Sequence, residues 1–287
     1  MRSSRPSLDL SRLRALIFDM DGVLVDPSES YRAVIVECVR RAAVDFGLSE
    51  PAVDRTWASE LKRCGGFNND WDLTAGLVRG LVARTGFDVV AYSNELAALG
   101  GGLTAVDQLL GAAPPNLDAR GPLQDMFQQI YLGESLYERI YGRPRTLVTG
   151  PGYIERETAM VSAQELASVA LPKAIATGRP RAEAGYALNA FDFEQEFGPV
   201  VTHDDVVDAG ERGKPDPWCV YEAARQLGVS ADGQVAYIGD TADDMRAARA
   251  ASMMALGIGD ETELCSAGAD VVFSTTRELL AALISAA

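Results

Sequence analysis

An unbroken apolar run near the start of the chain ends in two closely spaced carboxylates. The run Ala15-Leu16-Ile17-Phe18 is followed at once by Asp19-Met20-Asp21-Gly22. A short run that is apolar at every position is typical of a strand buried on both faces of a parallel sheet. Because both aspartates leave this predicted strand together, negative charge must lie at the end of a buried strand. This limits both the fold and the chemistry that the chain can support.

The same pattern of short apolar runs returns from Leu171 onward, and helical segments separate the runs. Strands that alternate with helices indicate a parallel sheet covered by helices on both faces. We therefore predict an α/β fold with a Rossmann-like parallel sheet. The predicted strands are Ala15–Phe18, Lys173–Ala176, Pro199–Thr202, Val235–Ile238, Met253–Leu256 and Asp270–Phe273.

The segment between the first predicted strand and the others is mainly helical. Strand-like runs are few in it (Thr146–Val148 and Asp88–Ala91), and its loops are rich in glycine and proline. We therefore expect an α-helical cap domain, residues 28–164, inserted into a core formed by residues 1–27 and 165–287. The predicted cap helices are Tyr31–Phe46, Pro51–Arg63, Trp71–Arg84, Ser93–Ala98 and Leu123–Tyr141.

Charge and residue types narrow the function. Asp and Glu number 41 against 26 Lys and Arg, so the formal net charge is −15; such a surface repels nucleic acid and anionic membranes. The single histidine, His203, excludes mechanisms that need a histidine cluster. The four cysteines form no C-x-x-C pair, which favours reduced thiols. No signal peptide and no run of about 20 apolar residues is found, so we expect a cytoplasmic protein.

Asp19 and Asp21 suit two roles in phosphoryl transfer. An aspartate carboxylate can attack phosphorus and accept the phosphoryl group covalently. A second carboxylate can protonate the leaving oxygen and then take a proton from water. The alternative is a turn in which both aspartates only cap the backbone. The position directly after a buried strand favours the catalytic interpretation.

The segment Thr177-Gly178-Arg179-Pro180 joins a predicted strand to a predicted helix. The Thr177 hydroxyl and the free backbone N–H groups around Gly178 can bind a phosphate at a helix start. An ordinary threonine helix cap would have the same sequence. Arg179 is either a substrate contact or a surface cation, and we favour the surface cation.

Lys214 lies between glycine and proline in Gly213-Lys214-Pro215-Asp216-Pro217. Its charge can neutralise both the nucleophile and the phosphoryl group that is transferred. The alternative is a proline-rich loop ahead of a helix, with no catalytic role for the lysine.

A further acidic motif, Ile238-Gly239-Asp240-Thr241-Ala242-Asp243-Asp244, also follows a predicted strand. Mg²⁺ prefers oxygen ligands, takes one or two carboxylates and keeps several waters. We expect Asp240 to be the direct ligand. Asp244, one helical turn later, would bind the metal through water or hold Lys214. Asp243 is interpreted as a charge at a helix N-terminus.

The four motifs occur in this order, each at a predicted strand end, and together they resemble those of the haloacid dehalogenase superfamily. The position of the insert resembles the helical-cap subgroup, which includes phosphoglycolate phosphatases and β-phosphoglucomutases. This resemblance implies that Mg²⁺ is held by the Asp19 carboxylate, the Asp21 backbone carbonyl and Asp240. Dehalogenase members lack the second aspartate of the first motif, so Asp21 favours phosphoryl transfer. The matching residues are Asp19-x-Asp21-Gly22, Thr177, Lys214 and Gly239-Asp240-x-x-x-Asp244.

The sequence therefore predicts a Mg²⁺-dependent phosphomonoester hydrolase that acts on a small phosphorylated metabolite through an aspartyl-phosphate intermediate. A phosphomutase with the same core, and a non-catalytic binding protein, are alternatives. A phosphonate hydrolase is a further alternative and would need Lys62, the only lysine of the predicted cap, as a Schiff-base lysine. The residues predict neither the substrate nor the oligomeric state.

One cap segment, Cys64–Trp71, combines a Gly-Gly pair with amides and an aromatic residue. Loops of this composition often contact substrates, so Asn68 and Asn69 are candidate substrate residues. The alternative is that Asn69 or Asp70 only caps the helix that follows.

Overall fold

The computed structural model describes residues 9–48, 51–67, 69–147 and 150–286 of the chain. The chain divides into two compact units. The sheet unit consists of Met1–Asp26 with Thr158–Ala287, and the helical unit is Pro27–Glu157. The fold is therefore α/β, with a parallel-sheet unit interrupted by a helical insert, as the sequence predicts.

A parallel sheet forms the framework of the sheet unit. Its strands, with those of a separate ribbon, are β1 (Ala15–Phe18), β2 (Val25–Asp26), β3 (Thr158–Ala159), β4 (Lys173–Ala176), β5 (Val200–Val201), β6 (Val235–Gly239), β7 (Met254–Ile258) and β8 (Val271–Phe273). Among the described residues the sheet has six strands in the order β5-β4-β1-β6-β7-β8, and each neighbouring pair is parallel. β1 thus lies in the interior of the sheet, as its unbroken apolar run indicates.

Helices account for most of the remaining regular structure. The helical unit contains α1 (Tyr31–Asp45), α2 (Thr56–Arg63), α3 (Asp70–Ala83), α4 (Val89–Ala98), α5 (Gly102–Leu110) and α6 (Pro122–Tyr141). The sheet unit contains α7 (Ala163–Ala167), α8 (Arg181–Ala190), α9 (His203–Asp208), α10 (Trp218–Leu227), α11 (Ala242–Ala250), α12 (Glu261–Ser266) and α13 (Thr276–Ala286). Within the described part of the chain, no helix has both the length and the apolar character needed to cross a membrane.

The two faces of the sheet bury separate hydrophobic clusters. In β1, Leu16 and Phe18 belong to one cluster, which α8 and α13 cover. Ala15 and Ile17 point to the opposite cluster, which α10 and α11 cover. Side chains alternate between the faces of a strand, so a strand covered on both faces must be apolar at every position.

The boundary expected at residues 164 and 165 is wrong by several residues. β3 pairs with β2 in antiparallel fashion, with Thr158 opposite Asp26. Val161 is buried in the cluster under α8 and α13. Residues 158–164 therefore belong to the sheet unit. A ribbon of two residues per strand is too short to produce a recognisable hydrophobic period, so the sequence did not indicate it.

In the described part of the helical unit, neither of the two predicted strand segments forms a strand, and one helix was not predicted. Asp88–Ala91 is the start of α4, because the Asp88 carboxylate accepts from the backbone N–H groups of Val90 and Ala91 and so caps a helix. In Thr146–Val148, the amides of Thr146 and Leu147 donate to the Gln129 side chain, and Val148 lies outside the described residues. The unpredicted helix, α5, begins directly after consecutive glycines.

The long helix α6 is interrupted at Gly133, which has φ 68° and ψ −165°. A Cβ atom at this position would lie 2.1 Å from the backbone nitrogen of Gly152. Only glycine allows both the positive φ and this approach of two backbones. The break lets the segment before Tyr153 pack against the middle of α6, and α1 contacts the same helix through stacked Tyr31 and Tyr131, whose ring centroids are 4.4 Å apart.

Candidate active site

Acidic and polar residues meet at the carboxyl ends of three adjacent strands. Asp19 follows β1, Thr177 follows β4 and Asp240 follows β6. Since β1 lies between β4 and β6, their ends share one edge of the sheet, where sites of open α/β sheets form. We expected Lys214 to follow a strand directly, but α9 lies between β5 and the loop that carries Lys214. Its side chain nevertheless reaches the same edge.

Asp19 is a buried carboxylate with an incomplete set of partners. The residue is 6% exposed, and its backbone N–H donates to the Ile238 carbonyl at 2.8 Å. The Lys214 ammonium lies 3.0 Å from Oδ1, but in an ion-pair orientation that leaves this oxygen without a hydrogen-bond donor among the described residues. Burial, with the charges of Asp244 and Asp21, raises the pKa of Asp19 to about 7 against the opposing effect of Lys214.

The Lys214 ammonium is surrounded by three oxygens. Its Nζ lies 3.0 Å from Asp19 Oδ1, 2.7 Å from Asp244 Oδ1 and 3.0 Å from the Tyr237 hydroxyl. Burial lowers the pKa of Lys214, but the charges of Asp19 and Asp244 outweigh this effect and hold it well above its ordinary value. The lysine therefore carries a fixed positive charge beside the Asp19 carboxylate.

Asp244 has all of its acceptor capacity directed at protein donors. Oδ1 accepts from Lys214 and from Tyr237, the latter at 3.1 Å. Oδ2 accepts from the Thr241 hydroxyl at 2.6 Å and its backbone N–H at 3.0 Å, which completes a capping box at the start of α11. Although burial opposes ionisation, the Lys214 contact and these bonds lower the pKa of Asp244. Of the two roles expected from the sequence, the contacts match the one in which Asp244 holds Lys214.

Asp240 lies against the first motif. A Cβ atom at Gly22, which has φ +69°, would be only 2.0 Å from Asp240 Oδ2. The glycine therefore creates the space that this carboxylate occupies. Burial, with the charges of Asp244, Asp19 and Asp21, raises the pKa of Asp240 to about 8. Carboxylates crowded in this way gain from a cation placed among them.

The oxygen atoms of this cluster of carboxylates are suitable ligands for a Mg²⁺ ion. Carboxylate oxygens of Asp19, Asp240 and Asp244 lie within 4.8 Å of one another. Two of these carboxylates have raised pKa values, and Asp19 Oδ1 lacks a hydrogen-bond donor. Hard oxygen donors of this kind suit Mg²⁺. Because both oxygens of Asp244 already have protein partners in Lys214, Tyr237 and Thr241, Asp19 and Asp240 are the carboxylates that remain to bind a metal.

Thr177 and Gly178 begin the loop between β4 and α8. Thr177 is buried, its backbone N–H donates to the Val201 carbonyl, and its hydroxyl accepts from the Arg179 backbone N–H at 3.2 Å. Gly178 is exposed, and no atom lies within 4 Å of the position of a Cβ atom there. The loop therefore leaves open space at Gly178, at the strand edge that also bears Asp19.

Arg179 is not the surface cation that the sequence favoured. Its side chain is 1% exposed, and the guanidinium binds the Asp21 carboxylate, with Nε 3.1 Å from both oxygens and Nη2 2.5 Å from Oδ1. A planar guanidinium matches a carboxylate at two points, which gives an oriented contact. Arg179 is thus a partner of the second aspartate, and no residue spacing in the sequence indicates this pair.

Two of the three candidate residues of the helical unit, Asn69 and Lys62, have structural partners there. Asn69 caps α3, because its side-chain oxygen accepts from the backbone N–H groups of Trp71 and Asp72. Asn68 lies outside the described residues. Lys62 is half exposed, and its ammonium pairs with Asp70 at 3.0 Å. A Schiff base requires a neutral amine, so this ion pair gives no support to a phosphonate hydrolase.

Tyr237 belongs to the site but was not predicted. Its hydroxyl contacts Lys214, Asp244 and the Ala176 carbonyl. Burial and the Asp244 charge raise its pKa well above the ordinary value. The available signal was a polar aromatic residue in an otherwise aliphatic strand, two residues before Gly239.

The geometry agrees with a known family. A model of the haloacid dehalogenase-like hydrolase family matches residues 13–252 of the chain. That match covers most of the chain, including all of the strand-end residues described above. The chain therefore belongs to this family, and it is a hydrolase.

Relatives of known name extend the comparison. The chain is 30% identical over 253 residues to an imidazoleglycerol-phosphate dehydratase of Phytophthora nicotianae, but it spans 44% of that protein's length and 86% of its own. It is 26% identical over 277 residues to a phosphoglycolate phosphatase of Escherichia coli O157:H7, which covers 94% of the chain and 92% of the relative. The structure of a phosphatase from Thermococcus thioreducens has a similar fold, with a TM-score of 0.67 and 24% sequence identity. The match covers 94% of this chain and 99% of that phosphatase.

Proposed function

We propose that this protein is a Mg²⁺-dependent phosphomonoester hydrolase that acts on a small phosphorylated metabolite, with Asp19 as nucleophile and Asp21 as general acid and base. The observation that carries the proposal is the environment of Asp19. It is a buried carboxylate beside a fixed ammonium, and a second carboxylate, Asp21, follows two residues later. This combination provides a nucleophile, charge compensation and a proton carrier in one place.

In the first step, an Asp19 oxygen forms a bond to phosphorus while the ester P–O bond breaks. Asp21 gives its proton to the leaving alcohol oxygen. Lys214 stabilises the negative charge that gathers on the phosphoryl oxygens. A bound Mg²⁺, held by Asp19 and Asp240, would supply the screening that lets one anion approach another.

In the second step, water attacks the phosphorus of the aspartyl-phosphate, and the bond to Asp19 breaks. Asp21 takes a proton from this water and so returns to the acid form. The two-point contact with Arg179 suits the charged form of Asp21 that acts as base. In the acid step, Asp21 exchanges this contact for the leaving oxygen.

The comparisons support a small substrate. The relative from Escherichia coli O157:H7 is named a phosphoglycolate phosphatase, and the similarity extends over nearly the whole of both chains. We include 2-phosphoglycolate among the substrates to be tested for this reason. A small substrate can be enclosed fully, which would exclude water from the reaction.

The test is phosphate release by the purified full-length chain from p-nitrophenyl phosphate and a panel of phosphorylated metabolites. We expect activity with Mg²⁺, none with a chelator, and none in the D19N variant. D243N is the matched control, because Asp243 is a carboxylate in the first turn of α11 that pairs with Arg246 of the same helix. Activity without metal, or activity that survives D19N, contradicts the proposal. A requirement for a sugar bisphosphate would identify a phosphomutase instead.

A further inference from the structure

The hydroxyl of Tyr237 is a polar group in the middle of an apolar strand. All five residues of β6 are buried, and the tyrosine is fully buried. A buried hydroxyl without partners destabilises the fold, so a buried tyrosine normally has hydrogen-bond partners. Three groups lie in hydrogen-bond range: Lys214 Nζ at 3.0 Å, the Ala176 carbonyl at 3.0 Å and Asp244 Oδ1 at 3.1 Å.

The donors and acceptors determine how these contacts can be made. A lysine ammonium has three N–H donors and no acceptor, so it must donate to the tyrosine oxygen. The tyrosine keeps one proton, which it can donate to Ala176 or to Asp244. The Tyr237 oxygen accepts one of these N–H groups, and the Asp244 and Asp19 carboxylates are the ion-pair partners of the ammonium. Tyr237 is the only uncharged member of the three, and its position is fixed by the sheet because it is part of β6.

Tyr237 also connects two strands that do not touch. β6 and β4 lie on either side of β1, and the hydroxyl reaches from β6 to the carbonyl of Ala176, the last residue of β4. The next residue is Thr177. One hydroxyl therefore links the strand end that bears Thr177 to the ammonium beside Asp19.

We propose that Tyr237 is a positioning residue: its hydroxyl holds the Lys214 ammonium at Asp19 and fixes the strand end at Thr177. It acts through these residues and does not touch substrate. The kinetic effect of removing the hydroxyl rests on the proposed function. The position of the Lys214 ammonium does not depend on that function. If Tyr237 served only to fill the core, removing its hydroxyl alone would change neither kcat nor the position of the Lys214 ammonium.

The test uses Tyr237→Phe, which keeps the ring and removes the hydroxyl. Tyr221→Phe is the matched control, because the Tyr221 hydroxyl donates to the Ala250 carbonyl at 3.0 Å on the partly exposed surface of α10. With p-nitrophenyl phosphate and Mg²⁺, Y237F should lower kcat by about tenfold, the effect of one lost hydrogen bond, with KM unchanged. Y221F should match the wild type. A crystal structure of Y237F should show Lys214 Nζ displaced from Asp19.

The two measurements separate two kinds of failure. If the wild-type protein releases no phosphate, the proposed function fails, and the crystal structure alone decides the positioning role. An ammonium that still lies between Asp19 and Asp244 in Y237F overturns that role. A kcat equal to that of the wild type, or a loss equally large in Y221F, also overturns it.

Discussion

The guanidinium of Arg179 contacts both carboxylate oxygens of Asp21, with 3.1 Å from Nε to each oxygen. The arginine side chain is 1% exposed and the aspartate side chain 33%. The buried partner therefore determines where the more accessible one lies. Since Asp21 is the proposed proton carrier, the orientation of this carboxylate depends on a residue that comes 158 positions later in the chain.

Substitution of Arg179 should impair turnover. R179K keeps the charge but loses the two-point contact, and R179M removes the charge as well. We expect kcat to fall by about tenfold in R179K and further in R179M, since one or two charge-assisted hydrogen bonds are lost. The measurement is kcat and KM with p-nitrophenyl phosphate. R181K is the control, because Arg181 pairs with Asp205 on the surface; an R179K enzyme with wild-type kcat would refute the expectation.

Loss of the Asp21 carboxyl should matter most for poor leaving groups. D21N cannot protonate an alkoxide, and general acid catalysis is worth about 100-fold to 10,000-fold. p-Nitrophenolate leaves without a proton, so its ester should be less affected in the first step than an alkyl phosphate. The measurement is the ratio of kcat/KM for the two esters in wild-type and D21N protein. An equal loss for both esters would show that Asp21 does not act as the acid.

Binding of Mg²⁺ should release protons near neutral pH. Burial and neighbouring carboxylates raise the pKa of Asp19 to about 7 and that of Asp240 to about 8, so both are partly protonated there. The metal binds the ionised forms and must displace these protons. Affinity should therefore rise as the pH increases from about 6 to about 9 and then level off. Isothermal titration calorimetry in buffers of different ionisation enthalpy measures the protons released; a flat profile would contradict this expectation.

Gly22→Ala should weaken metal binding beyond the cost of backbone strain. Gly22 and Gly47 both have φ +69°. A Cβ atom at Gly22 would lie 2.0 Å from Asp240 Oδ2, whereas a Cβ atom at Gly47 would have no atom within 4 Å. Each alanine costs about 1–2 kcal/mol in the left-handed region. Only G22A should displace Asp240, with a loss of about tenfold to 100-fold in Mg²⁺ affinity.

Urea unfolding and Mg²⁺ titration of both glycine variants separate the two effects. G47A should show reduced stability with wild-type metal affinity. If G22A also retains the wild-type affinity for Mg²⁺, then Asp240 does not need the space that this glycine leaves.

The strand ends could be predicted because their signal is local. The apolar run before Asp19 and the one before Asp240 each identify a strand, and the parallel topology brings their ends together. Thr177 follows from the same argument. Each of these residues is attached directly to a strand, so its position in space follows from its position in the sequence.

Contacts made by long side chains could not be predicted in this way. Arg179 and Tyr237 reach partners on other strands and loops, and the direction of a side chain depends on the packing around it. Short elements were missed for a different reason. β2 and β3 have only two residues each. The β-branched pair Val89-Val90 is typical of a strand, but the Asp88 side chain caps a helix that begins there.

The pairing of Asp26 with Thr158 has a consequence for how such a chain can change over time. These residues are direct partners in the β2–β3 ribbon, so the insert begins and ends at neighbouring points of the sheet unit. A segment with adjacent ends can be exchanged, lengthened or deleted with little effect on the scaffold that carries it. The β2–β3 ribbon is therefore the place at which one insert can be exchanged for another. Selection could replace the whole insert while the strand-end residues of the sheet unit keep their positions.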